Sequence, residues 1–451
     1  MPRLNHEFLS KPIAVAVLGS GGREHALARK IAESVLCEKV TVLPGNAGML
    51  LGLPARLSAK VGIETTDLTD HPKLISQLKK LGVGLVVVGP DDLLADGIVD
   101  SLEDAGLLVF GPRQGAARIE SSKVFAKTIL EKASIPTARH RTIREEDLPE
   151  VGKIIDSVGG FPVVLKYDGL ALGKGVRICI GESEAKAFLA DIFERRKFSR
   201  NDSVVKPLVV AEEFLSGHEV SLFALTDGTT YVALEAACDH KHLYEGNYGP
   251  NTGGMGAYSP VPWLDRTVIQ EIADKVFPAA LAQMAAAKSP FKGLLYAGLM
   301  VREKDYWVLE FNARFGDPET QVILPRLESD LLPLLYGVAM GDLKRYLDSL
   351  PPRWTSQSCV NIVAASRGYP ERPDVGYEIS GAENLEGVHI YFAGVQGKDS
   401  KLYNSGGRVF SISALANSIE GARFQALEAL EKVKFEGMYF RRDIGAVGPG
   451  Y

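Results

Sequence analysis

A short apolar run that ends in a glycine turn and continues as a helix constrains the fold more than any other feature of the chain. Ile13–Leu18 is continuously apolar, Gly19–Gly22 contains three glycines, and Arg23–Val35 has a helical pattern. A strand, a tight turn and a helix in this order are typical of a parallel α/β sheet, in which ligands bind at the carboxyl ends of the strands. The backbone N–H groups of such a turn can also approach an anion.

The same alternation continues to about residue 118. Apolar runs that end in Gly-Pro or Pro-Gly-Asn loops predict further strands at Val40–Leu43, Gly84–Val88 and Leu107–Phe110. Helical patterns between them predict helices at Lys73–Leu81 and Ala95–Ala105. We therefore expect residues 1–118 to form an N-terminal parallel α/β domain that binds a substrate.

The glycine turn does not fit a dinucleotide-binding fingerprint. That fingerprint has a third glycine where Glu24 stands, and it has an acidic residue after the second strand, where Pro44–Gly48 follows instead. A nicotinamide-dependent dehydrogenase is therefore disfavoured. Taken alone, the turn is explained about as well by a structural role as by a ligand site.

Composition and charge exclude several classes of function. The chain of 451 residues has 51 basic and 56 acidic residues, and the net charge of −5 gives no overall attraction to nucleic acid or membranes. No apolar run approaches the roughly 20 residues that span a bilayer, and the N-terminus lacks the apolar core of a signal peptide. The four cysteines contain no Cys-x-x-Cys pair, which favours reduced thiols. We expect a cytoplasmic protein without nucleic-acid or membrane partners.

A late strand carries two oxygen ligands. Val308–Asn312 has β-prone character, and the alternation of side chains along a strand places Glu310 and Asn312 on the same face. A carboxylate and an amide oxygen suit a hard cation such as Mg²⁺, which takes other ligands from water and substrate phosphates. Arg314 follows two residues later, and its guanidinium group can donate two parallel hydrogen bonds to a phosphate or a carboxylate. Alone, Glu-x-Asn is better explained by a solvated edge strand, by roughly five to one.

Two lysines and a glycine-spaced loop precede that strand. Lys123 lies in a predicted helix over Ala116–Ala133, and Lys166 ends a predicted strand. The loop Gly169–Val176 follows, and its glycines would allow it to close over nucleotide phosphates. A plain hairpin with solvent-exposed lysines is the alternative.

The order of these parts resembles the ATP-grasp superfamily of carboxylate–amine ligases. Glu212–Glu219, which reads Glu-Glu-Phe-Leu-Ser-Gly-His-Glu, lies between the glycine loop and the Glu-x-Asn strand. More specifically, the chain resembles the phosphoribosylamine–glycine ligase family in the blocks Gly19–Leu27, Pro44–Gly48, Asp168–Gly175, Gly249–Pro260, Leu309–Glu319 and Ser405–Val409. These blocks keep the family's order from about residue 13 to Gly445, so a chance match is negligible.

The resemblance implies a fold of the α/β and α+β multidomain class. A central ATP-grasp domain is expected over residues 119–340, with a mobile subdomain at about 138–208, and a small C-terminal α/β domain over 341–451. In that last part, strands are predicted at Val360–Ala364 and His389–Ala393, and a helix at Leu415–Val433. Because the chain stops at Tyr451, we expect a monofunctional enzyme.

The resemblance also implies a reaction. ATP would drive the ligation of glycine to 5-phosphoribosylamine through glycyl phosphate, giving glycinamide ribonucleotide, ADP and phosphate in purine biosynthesis. A purine-pathway ATP-grasp enzyme that uses formate or bicarbonate is the nearest alternative, and a nucleotide sensor without turnover is a more distant one. Glycine and 5-phosphoribosylamine are the expected small-molecule partners, and a monomer is expected.

Site residues follow from the same resemblance. Glu310 and Asn312 are implied to hold Mg²⁺ or Mn²⁺, and Arg314 and Asp317 to act at the acyl phosphate and the amine. The implied ATP-binding residues are Lys123, Lys166, Gly173, Lys174, Gly175, Glu212, Glu213, Leu215 and Glu219, with Glu219 at the ribose. The implied substrate residues are Gly19, Gly21, Gly22, Asn46, Gly253, Gly254, Met255, Gly406, Gly407 and Arg408.

Two segments depart from the family pattern. Asp91 stands where the family has glutamate after Gly-Pro, and Leu243–Tyr248 is less acidic than its counterpart. Outside the resemblance, an ordinary hairpin turn would explain Asn404–Arg408 better, by about two to one. We assign no catalytic role to His25, since a structural role is at least as well supported.

Overall fold

The computed structural model describes residues 9–171, 174–198, 206–383 and 385–446. It begins with a parallel sheet whose strands are β1 (Ile13–Gly19), β2 (Cys37–Pro44), β3 (Val61–Ile63), β4 (Val83–Val88) and β5 (Val109–Phe110). The helices of this part are α1 (Gly22–Ala32), α2 (Ala55–Ser58), α3 (His71–Lys80), α4 (Asp91–Ala95) and α5 (Ile98–Asp104). The strand order is β3-β2-β1-β4-β5. The glycine turn after β1 therefore lies where the winding reverses, which is the usual ligand position of such sheets.

Two predicted helices are broken, each for a local reason. The predicted helix Ala95–Ala105 is confirmed only over Ile98–Asp104, because Gly97 has a left-handed φ of +84° and separates α4 from α5. The predicted helix Ala116–Ala133 is likewise two helices, α6 (Gln114–Ser121) and α7 (Lys123–Lys132). Between them Ser122 is extended, and its hydroxyl accepts the N–H of Phe125 at 3.1 Å. Lys123 is therefore the first residue of a capped helix.

An antiparallel sheet with its own hydrophobic core follows. Its strands are β6 (His140–Ile143), β7 (Val163–Tyr167), β8 (Val176–Cys179) and β9 (Val209–Glu213), in the order β6-β9-β7-β8. Helices α8 (Val151–Ser157) and α9 (Glu182–Phe193) supply core residues such as Ile155 and Phe188. Strand β9 ends at Glu213, and residues 214–217 cross to the next sheet.

The second antiparallel sheet carries the Glu-x-Asn strand. The elements here are β10 (His218–Thr226), β11 (Tyr231–Ala233), β12 (Cys238–Asp239), β13 (His242–Tyr244), β14 (Tyr248–Asn251), β15 (Gly256–Ser259), α10 (Arg266–Ala286), β16 (Gly293–Arg302) and β17 (Asp305–Asn312). The sheet order is β11-β10-β16-β17, while β13 and β14 form a separate hairpin. Among the described residues, no helix has both the length and the apolar character needed to cross a bilayer.

The C-terminal part shares its main sheet with the central part. Its elements are α11 (Thr320–Ile323), α12 (Leu331–Met340), α13 (Leu343–Ser349), β18 (Ser358–Ser366), β19 (Glu378–Ile379), β20 (Val388–Phe392), β21 (Val395–Lys398), β22 (Lys401–Asn404), β23 (Arg408–Ala416), α14 (Ile419–Leu430) and β24 (Met438–Tyr439). The main sheet runs β12-β15-β18-β23-β20, so two central strands extend it. The predicted helix start at Leu415 is wrong, because that residue lies in β23 and Ser418 caps α14.

The N-terminal and C-terminal parts are joined at Phe392. Its N–H donates to His25 Nδ1 at 3.0 Å, and its carbonyl accepts from Asn46 Nδ2 at the same distance. The Nδ1 atom of His25 must therefore be the unprotonated nitrogen. Burial, assisted by the charge of Arg29, lowers the pKa of His25 from 6.5 to about 3. His25 is thus a neutral structural residue at neutral pH.

His25 makes this junction sensitive to acid. Between pH 6.5 and about 3 the unfolded chain binds a proton at His25 that the folded chain excludes. Stability therefore falls as the pH falls through this window, by up to about 1.4 kcal/mol per pH unit from this group. We expect His25→Gln to reduce the pH dependence of the urea unfolding midpoint between pH 6.5 and 4. Parallel curves for the two proteins would contradict the assignment.

Candidate active site

Strand β17 places the two predicted metal ligands together. Glu310 lies opposite Gly298 and Asn312 lies opposite Tyr296 of β16. Just before Glu310 the register contains a one-residue bulge, since Leu299 pairs with Val308. Leu309 is the extra residue, and its carbonyl accepts a hydrogen bond from Lys166 Nζ at 3.0 Å. The bulge thus connects the metal-ligand strand to the lysine of the other antiparallel sheet.

Glu219 lies on the same face of this sheet. In the paired strands Ser221 is opposite Gly298, which is opposite Glu310, and Glu219 is two residues from Ser221. Residues that are opposite each other, or two apart, point to one side of a sheet. Gly298 has no side chain, and a Cβ there would lie 3.3 Å from Glu310 Cγ. The predicted ribose and metal residues therefore share one face, with an open glycine position between them.

The charge state of Glu310 fits a divalent cation. Burial acts to raise the pKa of Glu310, but the surrounding cations outweigh it and lower the value to about 2; they are Lys241, Lys123, Lys166 and Arg314. Glu310 is therefore ionised at neutral pH, and Asn312 adds a neutral amide oxygen. Within the described ranges, no three His, Cys, Asp or Glu side chains are grouped as a metal site. An ionised carboxylate with an amide oxygen is the donor pair that Mg²⁺ or Mn²⁺ accepts.

Glu212 is buried between two lysines. Its carboxylate oxygens lie 3.1 Å from Lys127 Nζ and 3.0 Å from Lys166 Nζ. Lys127 also donates to Thr137 Oγ1 at 2.7 Å. Burial lowers the pKa of Lys127 to about 8, although Glu212 acts in the opposite direction. The Glu212 side chain is thus engaged in holding two ammonium groups, and Lys127 is a site residue that the sequence analysis missed.

The segment after Glu212 leaves mainly backbone groups for a nucleotide. The Glu213 carboxylate accepts from Arg139 N at 2.7 Å and Arg139 Nε at 2.8 Å. Leu215 is half-buried in the crossing between the two antiparallel sheets, and Glu219 Oε2 lies 2.6 Å from Lys241 Nζ. The predicted adenine and ribose residues therefore lie at the junction of the two sheets.

The glycine loop between β7 and β8 is described only in part. Gly175 accepts the N–H of Tyr167 at 2.7 Å, and a Cβ on Gly175 would lie 2.8 Å from the Ala171 side chain. Lys174 is exposed to solvent. Gly173, one of the predicted nucleotide-binding residues, lies outside the described residues.

A buried carboxylate orients Arg314. Glu120 Oε1 lies 2.9 Å from Arg314 Nη2, and Glu120 Oε2 accepts the N–H of Ala313 at 2.8 Å. Burial raises the pKa of Glu120, while Arg314 opposes that shift. The main chain of Glu120 also accepts from Lys123 Nζ at 2.9 Å. Sequence reasoning missed Glu120 because nothing local pairs it with a residue 194 positions later.

Asp317 connects the central part to the C-terminal part. Arg408 Nη2 lies 2.8 Å from Asp317 Oδ2, and Gln321 Nε2 donates to Asp317 Oδ1 at 2.7 Å. Arg408 Nη1 also donates to the Gly253 carbonyl at 2.6 Å. Burial acts against ionisation of Asp317, yet Arg408 and Arg23 hold its pKa below the usual range. Asp317 and Arg408 thus form an oriented charge pair next to the glycine-rich block Gly249–Pro260.

The first glycine turn is filled by Glu24. Its Oε2 atom accepts the N–H of Gly21 at 2.7 Å, and its Oε1 atom lies 2.5 Å from Arg23 Nε. Gly19 has φ +123°, and a Cβ there would lie 2.6 Å from Glu24 Cγ. A carboxylate in this place repels the pyrophosphate of a dinucleotide, which supports the exclusion of a dehydrogenase. A Cβ on Gly22 would approach Gln321 Nε2 to 2.8 Å.

Several of the predicted substrate-binding residues make contacts within the protein itself. Met255 is fully buried, and Asn46 Nδ2 donates to Ser20 O and Phe392 O. Gly254 has φ +111° and packs on Pro318, while Gly406 O accepts from Ser366 Oγ at 2.8 Å and Gly407 lies against the Tyr369 ring. These residues shape the site through backbone position, and their contact with a substrate stays a prediction.

Family models match almost the whole chain. The N domain of phosphoribosylglycinamide synthetase matches residues 13–120, its ATP-grasp (A) domain matches 121–320, and its C domain matches 359–447. Phosphoribosylamine–glycine ligase of Rhodopirellula baltica is 41% identical over 442 residues, which cover 95% of this chain and 96% of that protein. The enzyme of the same name from Caldanaerobacter subterraneus is 41% identical over 432 residues, which cover 96% and 99%.

Solved structures agree with these matches. The crystal structure of phosphoribosylamine–glycine ligase from Thermotoga maritima has a TM-score of 0.76 and 34% identity, and the alignment covers 96% of this chain and 100% of that one. The biotin carboxylase domain of Hydrogenobacter thermophilus 2-oxoglutarate carboxylase has a TM-score of 0.71 at 16% identity, covering 95% and 91%. The second likeness shows the fold alone.

Proposed function

The chain belongs to the phosphoribosylglycinamide synthetase family of ATP-grasp enzymes, and from this membership we propose how its residues join glycine to 5-phosphoribosylamine at the expense of ATP. It is an ATP-dependent ligase of purine biosynthesis. One observation carries the assignment of the site. Groups from helix α6, from the first antiparallel sheet and from the C-terminal part converge on residues 309–317, through Glu120, Lys166 and Arg408.

The reaction requires two displacements. An oxygen of the glycine carboxylate attacks the γ-phosphorus of ATP; the new O–P bond forms as the bond to ADP breaks, giving glycyl phosphate. The amine nitrogen of 5-phosphoribosylamine then attacks the glycyl carbonyl carbon, the C–O bond to phosphate breaks, and the nitrogen loses a proton. Positioning and charge stabilisation supply most of the catalysis of such transfers.

The nucleotide end of the site is built from fixed cations. A divalent metal ion, Mg²⁺ or Mn²⁺, held by Glu310 and Asn312 would neutralise charge on the ATP phosphates. Lys166 is oriented by Glu212 and the Leu309 carbonyl, so that its ammonium can bind a phosphate oxygen at little cost in side-chain entropy. Lys123, the first residue of α7, is a second phosphate ligand.

Nucleotide recognition is assigned to the junction of the two antiparallel sheets. Since the side chains of Glu212 and Glu213 are engaged with lysines and an arginine, adenine is bound by the backbone from Glu213 to Leu215. Glu219 is assigned to the ribose hydroxyls. The exposed loop lysine Lys174, with Gly173 and Gly175, is assigned to closure over the phosphates.

The acceptor end of the site is assigned to Arg314 and Asp317. Arg314, held by Glu120, would bind the acyl phosphate, and ionised Asp317 would accept a hydrogen bond from the attacking amine. Arg408, with the backbone of Gly406 and Gly407, would bind the ribose phosphate. The turn Gly19–Gly22 and Gly253 would contact the uncharged part of the same substrate. Domain limits at residues 118 and 340, a monomeric state and a cytoplasmic location stay predictions from the sequence.

ADP release tests the proposed function. Purified protein with ATP and Mg²⁺ receives glycine and freshly generated 5-phosphoribosylamine, singly and together. ADP and glycinamide ribonucleotide are expected in equal amounts, and only when both substrates are present. Turnover with formate or bicarbonate in place of glycine would overturn the substrate assignment. Binding of ATP without turnover would instead favour a nucleotide sensor.

Lys166 and Lys174 are expected to differ in their importance. Lys166 is buried and fixed by two partners, whereas Lys174 is exposed on a glycine loop. We expect Lys166→Met to reduce turnover about tenfold more than Lys174→Met, because a fixed cation contributes more to charge stabilisation than a mobile one. Steady-state ADP release measures both variants. Equal losses would contradict the difference in role.

A further inference from the structure

We propose that a cavity beside the C-terminal sheet binds the base of a purine nucleoside, preferably guanine, and that the bound base acts on the acceptor end of the active site through Tyr369. The cavity has a volume of about 640 Å³. It lies between the hairpin β13–β14, residues 366–371 at the end of β18, and β24. Sites for small molecules usually have volumes of about 300–1,000 Å³. None of the residues that line this cavity is among those assigned above to ATP, the metal ion or the substrates.

Three tyrosines from separate segments line the cavity. Tyr244 belongs to Leu243–Tyr248, the segment that is less acidic than its family counterpart, and Tyr369 and Tyr439 come from the C-terminal part. The ring centroids of Tyr244 and Tyr439 are 6.2 Å apart, and the ring planes meet at 80°. These two rings form a corner in which a flat heteroaromatic ring can stack on one face and contact the edge of the other ring. Stacking on aromatic side chains is a general way of binding nucleobases.

Contacts within the protein hold this corner in place. Arg441 is fully buried and donates to the His242 carbonyl at 2.9 Å, so it joins the hairpin to the segment that carries Tyr439. Gly249, on the second strand of the hairpin, has φ +84°, and a Cβ there would collide with the Tyr244 ring. That ring therefore lies directly on the glycine. Because both rings are positioned before a ligand binds, stacking costs little side-chain entropy.

The charges at the cavity favour an uncharged base over a nucleotide. Arg367 is the only cation among the described residues that line it, and its guanidinium already binds Asp374 at 3.0 Å and Glu436 at 3.4 Å. Glu371 is exposed and makes no hydrogen bond or ion pair with another described residue. A phosphate would therefore meet a free carboxylate and no free cation. Guanine presents N1–H and N2–H on one edge, and these two donors match a carboxylate, whereas adenine presents one amino group beside an acceptor nitrogen.

Tyr369 connects the cavity to the acceptor end of the active site. Its hydroxyl accepts the N–H of Gly253 at 2.9 Å, while Arg408 donates to the carbonyl of the same glycine. The Tyr369 ring also lies against Gly407. A base in the cavity would restrict the motion of Tyr369, and with it the backbone that we assign to 5-phosphoribosylamine, so that this substrate binds more tightly. The link to the acceptor end rests on the proposed function, whereas binding in the cavity does not.

Titration calorimetry with guanosine tests binding in the cavity. The protein is first saturated with Mg²⁺ and a non-hydrolysable ATP analogue, so that the nucleotide site is filled. We expect one guanosine per chain with a Kd on the order of 0.1 mM, as the usual affinity per atom of a ligand of this size implies. Adenosine should bind at least about fivefold more weakly, because it lacks the paired donors. Absence of guanosine binding at about ten times the expected Kd would overturn the proposal, and so would equal affinity for adenosine.

Variants of exposed residues locate the site. Tyr244, which is 51% exposed, can be replaced with little risk to the fold, and Tyr244→Ala should weaken guanosine binding at least about tenfold through the loss of stacking. Glu371→Gln should weaken guanosine about tenfold and adenosine less than about twofold. Tyr248→Ala is the matched control, because Tyr248 is 73% exposed in the same hairpin and does not line the cavity. Unchanged binding in Tyr244→Ala, or an equal loss in Tyr248→Ala, would place guanosine elsewhere and overturn the proposal.

The link through Tyr369 is tested by the KM for 5-phosphoribosylamine in the ADP-release assay. Saturating guanosine should lower this KM about fivefold in wild type. Tyr369→Phe keeps the ring but removes the hydroxyl that holds Gly253, so it should bind guanosine within about twofold of wild type and show no change in KM. An unchanged KM in wild type, or the same decrease in Tyr369→Phe, would overturn the link. Because the calorimetry contains no glycine or amine, failure of the proposed function would leave its result unaffected.

Discussion

Replacement of Glu310 by glutamine is expected to reduce turnover at least about a hundredfold without disturbing the fold. The ordinary pKa of a glutamate falls to about 2 here, so the wild-type side chain carries a full negative charge at neutral pH. Glutamine keeps the shape but removes that charge from the centre of a cluster of cations. The site then lacks its only charged metal ligand among those we assign, and the phosphates of ATP lose their position.

Metal binding provides the decisive measurement for this variant. Titration of Mn²⁺ in the presence of ADP should show a large loss of affinity in Glu310→Gln, in parallel with the loss of turnover. Glu303→Gln is the matched control, because Glu303 is exposed in the turn that joins β16 to β17. Near-normal turnover of Glu310→Gln with full metal occupancy would remove Glu310 from the metal site.

The sequence was sufficient for features that depend on local periodicity. The pairing of Glu310 with Asn312 on one face follows from strand alternation alone, and the structure keeps it because the bulge at Leu309 lies before both residues. The exclusion of a dinucleotide site follows in the same way from Glu24, whose carboxylate occupies the turn. The predicted family and fold are confirmed by the domain matches and the solved structure.

Contacts between distant segments could not be predicted in this way. Lys127 appears in the sequence as one more lysine of a helix, and only the packing of α7 on the antiparallel sheets brings it to Glu212. Glu120 is similarly unremarkable until Arg314 lies beside it. The break at Ser122 was missed for a local reason, because the sequence alone does not distinguish a serine that caps a helix from a serine within one. Side chains that orient a site across long sequence distances are therefore harder to predict than those that lie within one motif.

Replacement of Glu212 by glutamine is expected to have the largest effect on stability. The variant leaves the ammonium groups of Lys127 and Lys166 buried side by side without a negative charge. Removing one partner of a buried ion pair typically costs about 3–5 kcal/mol. Glu213→Gln is the matched control on the next residue of β9, because Glu213 pairs with an Arg139 side chain that is 66% exposed. Glu213→Gln should lower the free energy of unfolding by no more than about 1 kcal/mol. Equal shifts in the urea unfolding midpoint would contradict this account.

The pH dependence of the Glu212→Gln penalty distinguishes a charge effect from a packing effect. In wild type burial already lowers the pKa of Lys127 to about 8, below its ordinary 10.5, and Glu212 is the main group that opposes the lowering. Without Glu212 the pKa of Lys127 should fall further. Above this lowered pKa the folded variant has released a proton that the unfolded chain still carries, so the stability of the variant rises with pH. This rise begins at a lower pH in the variant than in wild type. The penalty measured at pH 9 should therefore be smaller than at pH 7, whereas a loss of packing would give the same penalty at both.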